Sequence, residues 1–431
     1  MSNLAYDTEL PEHEMPAQEM APARDVELND IRPIPRISIQ AFCETEAVAK
    51  LIERAGGDRR MAKTHLKVQL GGIEAALDYY GQAPTPNLIV LESRAEPKRL
   101  LDALDRLANV CDPSTKVVVI GHYNDVWLYR ELVKSGVSEY VVAPVSLADV
   151  VGTVAQIFVD PGAEPLGRSF AFIGAKGGVG SSTLAHNVAW AMSCAFESEV
   201  VMADLDLPFG TANINFDQDP AQGIAEAVYS PERLDEVYLD RLLAQCAERL
   251  SLLAAPSTLE RTYDFDADAF GQIIETVQRT APLLVLDIPH LWNGWTRSTL
   301  TQADEIIITA TPELANLRNT KNLLDTLAKL RPNDAAPRLV INQAGVPKRP
   351  EISPEEFAEP LGLDPIAVIP FEPQLFGNAS NNGRMLGEMD AQHAITRTVS
   401  DIAHILTGRS EIKPKAKPGL AGLLGKLQRK G

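Results

Sequence analysis

Residues 171–192 read AFIGAKGGVGSSTLAHNVAWAM: an apolar strand former, a glycine-rich loop, and a stretch with apolar Leu184, Val188, Trp190 and Ala191 at helical spacing. Glycines at 177, 178 and 180 let backbone N–H groups turn inward around phosphate oxygens, where the start of a helix also favours negative charge. Such a loop works only between a strand and a helix, which commits this part of the chain to an α/β architecture. Ser182 supplies the hydroxyl position that holds Mg²⁺, and Thr183 adds another beside it.

The rest of the chain agrees with that commitment. Around the loop lie SFAFIGA (169–175), VVMADLD (200–206), LSLLAAP (250–256), LLVLDIP (283–289), EIIITAT (305–311), RLVINQ (338–343) and IAVIP (366–370). These near-continuous apolar runs predict a parallel sheet buried on both faces. Upstream, RISIQAFC (36–43), HLKVQLG (65–71), NLIVLES (87–93), KVVVIGH (116–122) and EYVVAPV (139–145) are β-rich. Helical stretches near 45–55, 95–109, 125–135 and 147–158 separate or follow them, which predicts a second, smaller doubly wound sheet. The fold class expected is therefore α/β with two doubly wound parallel-sheet domains, at 36–159 and 169–408. The segment DPGAEPLG, within 160–168, carries two prolines and two glycines and reads as the linker.

Residues 1–35 hold Asp7, Glu9, Glu12, Glu14, Glu19, Asp25, Glu27 and Asp30 against Arg24 and Arg32, with no apolar period. They are expected to form a disordered acidic tail. At the other end, 409–431 is basic, and Leu420, Leu423, Leu424 and Leu427 fall on one helical stripe. That pattern matches a short membrane-surface helix, or a frayed tail. Acids outnumber bases 58 to 40, a net charge of −18, which opposes a broad nucleic-acid surface. No apolar run reaches the ~18 residues of a membrane span. The N-terminus lacks the basic-then-apolar pattern of a secretion signal, and Cys43, Cys111, Cys194 and Cys246 form no CxxC. A reduced cytoplasmic setting without structural zinc is expected.

The stretch AKGGVGSST resembles the deviant Walker A loop of the MinD/ParA ATPases, KGGVGKT. In register, Ala175 stands at the first glycine position of the standard pattern and Ser181 at the lysine position. Lys176 matches the early signature lysine, which in that family reaches the phosphates of the opposite subunit of a nucleotide-sandwich homodimer. The resemblance implies ATP and Mg²⁺ as ligands. It implies Lys176, Gly177, Gly178, Val179, Gly180, Ser181, Ser182 and Thr183 around the phosphates, and Ser182, Asp204 and Asp287 around the metal. VMADLDLPFGTAN resembles the switch segment whose second aspartate, here Asp206, orients the attacking water. LLVLDIP resembles a Walker B strand ending in Asp287. VINQAG and VIPFEPQLFGNASNNG resemble the stretches that flank adenine, with Asn342 and Pro370 as base contacts. The loop lacks the intrasubunit lysine. A charge-assisted contact contributes ~1.5–3 kcal/mol, so ATP binding is expected to weaken roughly 10–100-fold, and hydrolysis more than binding.

The strand order of 36–158 resembles a response-regulator receiver whose phosphorylation residues are gone. Phe42-Cys43, Glu92, Gly121 and Ala143 stand where acidic residues, an aspartate, a hydroxyl and a lysine are needed. A degenerate receiver joined to a MinD/ParA-like ATPase resembles the CpaE/TadZ family of tight-adherence pilus assembly. That resemblance implies a cytoplasmic localisation factor, peripheral at the inner face of the membrane and at a cell pole. Its partners would be a second copy, the pilus secretion machinery with its secretion ATPase, and the membrane surface through the C-terminal tail; no nucleic acid is expected. Two other readings stay open on the residues: a ParA-like partition ATPase that binds DNA nonspecifically, and a scaffold that binds no nucleotide.

Overall fold

The computed structural model describes residue 28 and residues 31–159, 166–259 and 261–408. The acidic segment before residue 28, the central linker residues 160–165 and the basic stretch 409–431 with its leucine stripe lie outside the described residues.

The first sheet is built by strict alternation: β1 (Ser38–Cys43), α1 (Glu46–Gly56), β2 (His65–Leu70), α2 (Gly72–Tyr80), β3 (Leu88–Ser93), α3 (Pro97–Ala108), β4 (Lys116–Gly121), α4 (Val126–Lys134), β5 (Glu139–Val142) and α5 (Leu147–Phe158). Its order is β2-β1-β3-β4-β5, with all pairs parallel. Successive strand residues feed opposite cores: Ile39 and Ala41 pack with Val151 on one face, while Phe42 packs with Leu100 and Leu104 on the other. That alternation is why the strands read as unbroken apolar runs.

Two features depart from the sequence expectation. The helix α2 is additional, and it opens on Gly71 as its cap and Gly72 as its first residue, both at positive φ, a pair that reads in sequence as a loop. Ile31 and Ile34, assigned to the acidic tail, are buried in the first core, and Ile34 N–H donates to Arg60 O at 2.8 Å. The prolines around them break periodicity without preventing burial.

Glu92, at the end of β3, is fully buried. Its carboxylate accepts from Glu44 N–H and Thr45 N–H at 2.8 Å each and from Thr45 Oγ1 at 2.8 Å, and His122 Nε2 lies 3.3 Å away. The carboxylate thus ties the start of α1 to β3 and has no side available for an incoming phosphoryl group. Acetyl phosphate is therefore expected to leave residues 36–158 unmodified, as read by intact mass. An acid-labile phosphate in that segment would refute this assignment.

The second sheet runs through β6 (Arg168–Gly174), α6 (Ser181–Ala195), β7 (Val200–Asp204), α7 (Ala212–Asn215), α8 (Ile224–Tyr229), α9 (Glu236–Leu242), β8 (Ala244–Ala247), β9 (Leu250–Leu253), α10 (Gly271–Thr280), β10 (Leu283–Ile288), α11 (Gly294–Gln302), β11 (Glu305–Ala310), α12 (Leu314–Leu330), β12 (Arg338–Ala344), α13 (Pro354–Ala358), β13 (Pro365–Pro370), α14 (Pro373–Asn381), α15 (Leu386–Met389) and α16 (Ala394–Thr407). The order is β13-β12-β11-β6-β10-β7-β9-β8, parallel except for the edge pair β8–β9. In β6, Phe170 and Phe172 enter one core and Ala171 and Ile173 the other, so helices cover both faces.

A group of buried charges joins the two sheets. Arg59 reaches Asp304 at 2.9 Å, Asp334 at 3.3 Å and the Gln302 carbonyl at 2.7 Å. Arg60 is 3.0 Å from both Asp58 and Asp334. Asn333 Nδ2 donates to Asp58 at 3.1 Å, and Arg331 stands 3.4 Å from Asp334. Three guanidinium groups face three carboxylates, so the group is neutral as a whole. Asp304 also accepts from Ser169 N–H at 2.8 Å and Ser169 Oγ at 2.9 Å, anchoring the start of β6.

Candidate functional site

β6, β7 and β10 lie side by side, and their carboxyl ends meet where connections leave in opposite directions, β6 to β7 on one side and β10 to β11 on the other. In open α/β sheets that point is where ligands bind. The loop after β6 forms the floor of a cavity of about 740 Å³, lined also by Asp206–Phe209, Tyr263, Phe265, His290 and Leu291.

The loop is held from outside by its carbonyls. His290 Nδ1–H donates to Gly174 O at 2.9 Å, and Asn319 Nδ2 to Ala175 O at 2.9 Å. Gln343 Nε2 donates to Gly178 O at 3.0 Å, and Asn342 Nδ2 to Val179 O at 2.8 Å. With the carbonyls pulled outward, the N–H groups face the other way. None of the backbone N–H groups from Lys176 to Thr183 donates to another protein atom. Gly178 and Gly180 sit at φ +81° and +86°, the left-handed region this reversal requires. The result is a run of unengaged donors at the N-terminus of a 15-residue helix, an anion-binding geometry.

The predicted side chains are distributed around this floor. Lys176, Ser181, Ser182, Thr183 and Asp206 line the cavity. Lys176 is about half exposed, with Nζ 3.6 Å from Glu313 Oε2; Glu313 also lies 3.4 Å from Arg349. Ser181 Oγ is buried without a hydrogen-bond partner. Asp206 Oδ1 accepts from Phe209 N–H at 3.2 Å, and burial raises its pKa despite that bond.

Asp204 and Asp287 stand directly opposite each other on paired strands, just behind the cavity wall. Asp204 accepts from Asp206 N–H and Ala212 N–H, both at 3.1 Å. Burial, then the charge of Asp287, push its pKa up to about 7 against the pull of His186 and those two N–H groups. Asp287 Oδ1 is buried without a partner, while Oδ2 lies 3.4 Å from His186 Nε2.

A second cleft of about 130 Å³ adjoins the first across Gly180, Thr183 and Gln343. Asn342 and Pro370 line it, as does Phe371. Asn342 uses its Nδ2 on the loop, so its buried, unpartnered Oδ1 is what remains for a ligand. One cleft presents N–H donors and hydroxyls; the other is small and largely apolar. The pair suits a triphosphate with an aromatic base, and the unpartnered Asp287 Oδ1 suits a hydrated divalent cation.

Sequence reasoning misses His186, Gln343, Asn319, His290 and Phe371. Gln343 carries one signal in hindsight: it follows Asn342 in VINQAG, yet no sequence rule places it at φ +55° to reach the loop. His186 has none, because a lone histidine within an apolar helix is indistinguishable from core.

Comparison with known proteins places these observations. The AAA domain family matches residues 167–341. The septum site-determining protein MinD of Bacillus subtilis is 20% identical over 277 residues, 61% of this chain and 97% of that protein. The structure of MinD complexed with Mg-ADP from Pyrococcus horikoshii covers 58% of this chain and 100% of that chain, with 19% identity and a TM-score of 0.51, a likeness of fold. The pilus assembly protein CpaE of Caulobacter crescentus is 50% identical, covering 30% of this chain and 98% of that chain, with a TM-score of 0.29. Identity across nearly its whole length, rather than the overlay, carries that last likeness. Among the described residues, no helix is long and apolar enough to cross a membrane.

Proposed function

Since this chain belongs to the CpaE family of pilus assembly proteins, we propose that it is an ATP-binding switch that dimerises and positions pilus assembly components. The observation that carries the nucleotide part is the unengaged N–H run from Lys176 to Thr183 beneath a cavity with an adjoining base cleft. In this reading Gly177, Gly178, Val179, Gly180 and Ser181 receive phosphate oxygens by their N–H groups, and Thr183 adds its hydroxyl. Asn342 Oδ1 accepts from the base, which rests against Pro370 and Phe371. Ser182, Asp204 and Asp287 would hold Mg²⁺. Bound Mg²⁺ supplies neutralisation of the phosphate charge. Asp206, on the cavity wall, orients a water. Ser181 brings no charge where a lysine would, so turnover is slow and binding is the working event.

Lys176 is the residue that reaches a second copy. Its half-exposed position and its single long contact to Glu313 leave it free to leave that partner, because exposed pairs contribute only ~0–1 kcal/mol. The receiver-like front half serves as an interaction module, and the basic C-terminal stretch gives contact with the inner membrane surface. The partners are the pilus secretion machinery and its ATPase.

Titration calorimetry and light scattering on one sample test this. Near-stoichiometric ATP–Mg²⁺ binding with a doubled mass is expected. Lys176→Ala should retain binding and lose at least tenfold in dimer affinity, the effect of one charge-assisted contact. Unchanged dimer mass for that variant in saturating ATP would remove the trans role, and no binding by the native chain would leave the scaffold reading.

A further inference from the structure

Directly under the phosphate loop, on the side of α6 that faces the sheet, His186 is completely buried. Its Nδ1 lies 3.0 Å from Asn215 Nδ2, and its Nε2 lies 3.4 Å from Asp287 Oδ2. The ring is tilted against Phe216, with centroids 5.6 Å apart. Ligating atoms of His186, Asp204 and Asp287 all fall within 4.8 Å of one another. Two atoms of this set, His186 Nε2 and Asp287 Oδ1, are buried with no hydrogen-bond partner. Native interiors leave few polar atoms unpaired, and each one calls for a reason.

The tautomer follows from the neighbours. An amide nitrogen only donates, so His186 Nδ1 accepts from Asn215 and the ring proton sits on Nε2, facing Asp287. The other end of the Asn215 amide is consistent with this, because its Oδ1 accepts from Ser380 Oγ at 3.3 Å. The two aspartates are not equivalent. Asp204 has both oxygens fixed by backbone N–H groups, whereas Asp287 has none fixed and can rotate.

We propose that His186 is a positioning residue of the nucleotide site: it orients the Asp287 carboxylate from behind and, through Asn215, links that orientation to α7, the helix that follows the Asp206–Phe209 stretch of the cavity wall. Resting on the nucleotide reading above, this assigns the unpaired Nε2–H to Asp287 Oδ2, which leaves Oδ1 as the acceptor toward the metal. Carboxylates that serve a metal are commonly held by a second partner, and losing that partner weakens metal affinity ~10–100-fold. A side chain that only filled space would need neither the Asn215 contact nor a nitrogen beside a buried carboxylate.

The test uses the full chain and a fluorescent ATP analogue, titrated once in EDTA and once in Mg²⁺. The readout is the gain in affinity that Mg²⁺ confers. His186→Leu keeps the bulk and removes the N–H, and is expected to lower that gain about tenfold or more, with affinity in EDTA unchanged within error. His186→Gln returns an amide N–H near the Nε2 position and is expected to restore most of the gain. Asn215→Leu should lower it in the same direction, by less. An undiminished gain in His186→Leu overturns the proposal, as does a His186→Gln variant no better than the leucine one. One equivalent of Zn²⁺ or Mn²⁺ bound by the apo chain and lost in His186→Leu also overturns it, by making the imidazole a ligand. Should His186→Leu fail to fold, half-buried Asn215 carries the test, and an unaltered gain there is equally decisive. A native chain that binds the analogue no better with Mg²⁺ removes the nucleotide reading first, which separates the two failures.

Discussion

Arg60→Ala is expected to destabilise the protein by about 3–5 kcal/mol, the effect of removing one partner from a buried ion group. Arg60 is the largest fully buried side chain, and its guanidinium stands 3.0 Å from both Asp58 and Asp334. Truncation leaves two carboxylates in a low-dielectric junction with one fewer cation. Arg59 then has to serve Asp304 and Asp334 while also donating to the Gln302 carbonyl. The expected signature in calorimetry is a lowered and broadened or split transition, because the Arg60–Asp334 contact bridges the two sheets and its loss weakens their coupling. Lys63→Ala is the control: its bond to Glu275 also bridges the sheets, but both groups are exposed, so about 0–1 kcal/mol is expected. Acid should act on the same junction. Burial alone would raise the pKa of Asp334, yet Arg59, Arg331 and Arg60 hold it below the ordinary value of 3.8. A depressed carboxylate contributes stability that is complete above its unfolded value and disappears as pH falls through the folded one. The junction should therefore loosen only below about pH 4. A single, unshifted transition in Arg60→Ala would show that the two sheets are not coupled through this group.

What the sequence reveals of this molecule depends on how local each feature is. The phosphate loop is legible because its glycines, its strand and its helix are contiguous, and Asp204 and Asp287 are legible because each ends an apolar run. The five strands of the first sheet and the seven parallel strands of the second are legible for the same reason. The edge strand β8 is not, since AQCA has neither length nor β-branched residues and forms by pairing with β9. The junction is also hidden. GGDRRMAKTH looks like a solvated turn, and Asp304 and Asp334, the acids that meet Arg59 and Arg60 from the second sheet, lie more than 240 residues further along. The braces on the loop, Asn319, Asn342 and Gln343, come from strand and helix positions over 140 residues away. Charge and amide groups that meet only in the folded state leave no spacing to read.

Gly180→Ala should be the most damaging single-methyl change at the site. Gly180 adopts φ +86°, where an L side chain costs ~1–2 kcal/mol. A Cβ there would also lie 2.5 Å from Asn342 Nδ2, the donor that holds Val179 O. Moving that buried amide leaves a donor and a carbonyl unsatisfied, about 1–3 kcal/mol more. Both terms act on the residue that caps α6, so the N–H groups of Ser181 and Ser182 swing out of line. Summed, about 2–5 kcal/mol is lost if the loop is forced to keep its shape on binding, a fall in ATP affinity of roughly thirtyfold or more. Gly177→Ala separates the causes, because its added methyl meets nothing within 4 Å and its φ is not left-handed, so fold stability should be retained. Asn342→Ala separates them further. It removes the obstacle but not the backbone strain, so the double variant Gly180→Ala/Asn342→Ala should be less impaired than the sum of the singles. Calorimetric affinities for all four variants with ATP–Mg²⁺ provide the comparison. An additive double variant would mean that the methyl and the asparagine do not meet, and that the loop is set by backbone conformation alone.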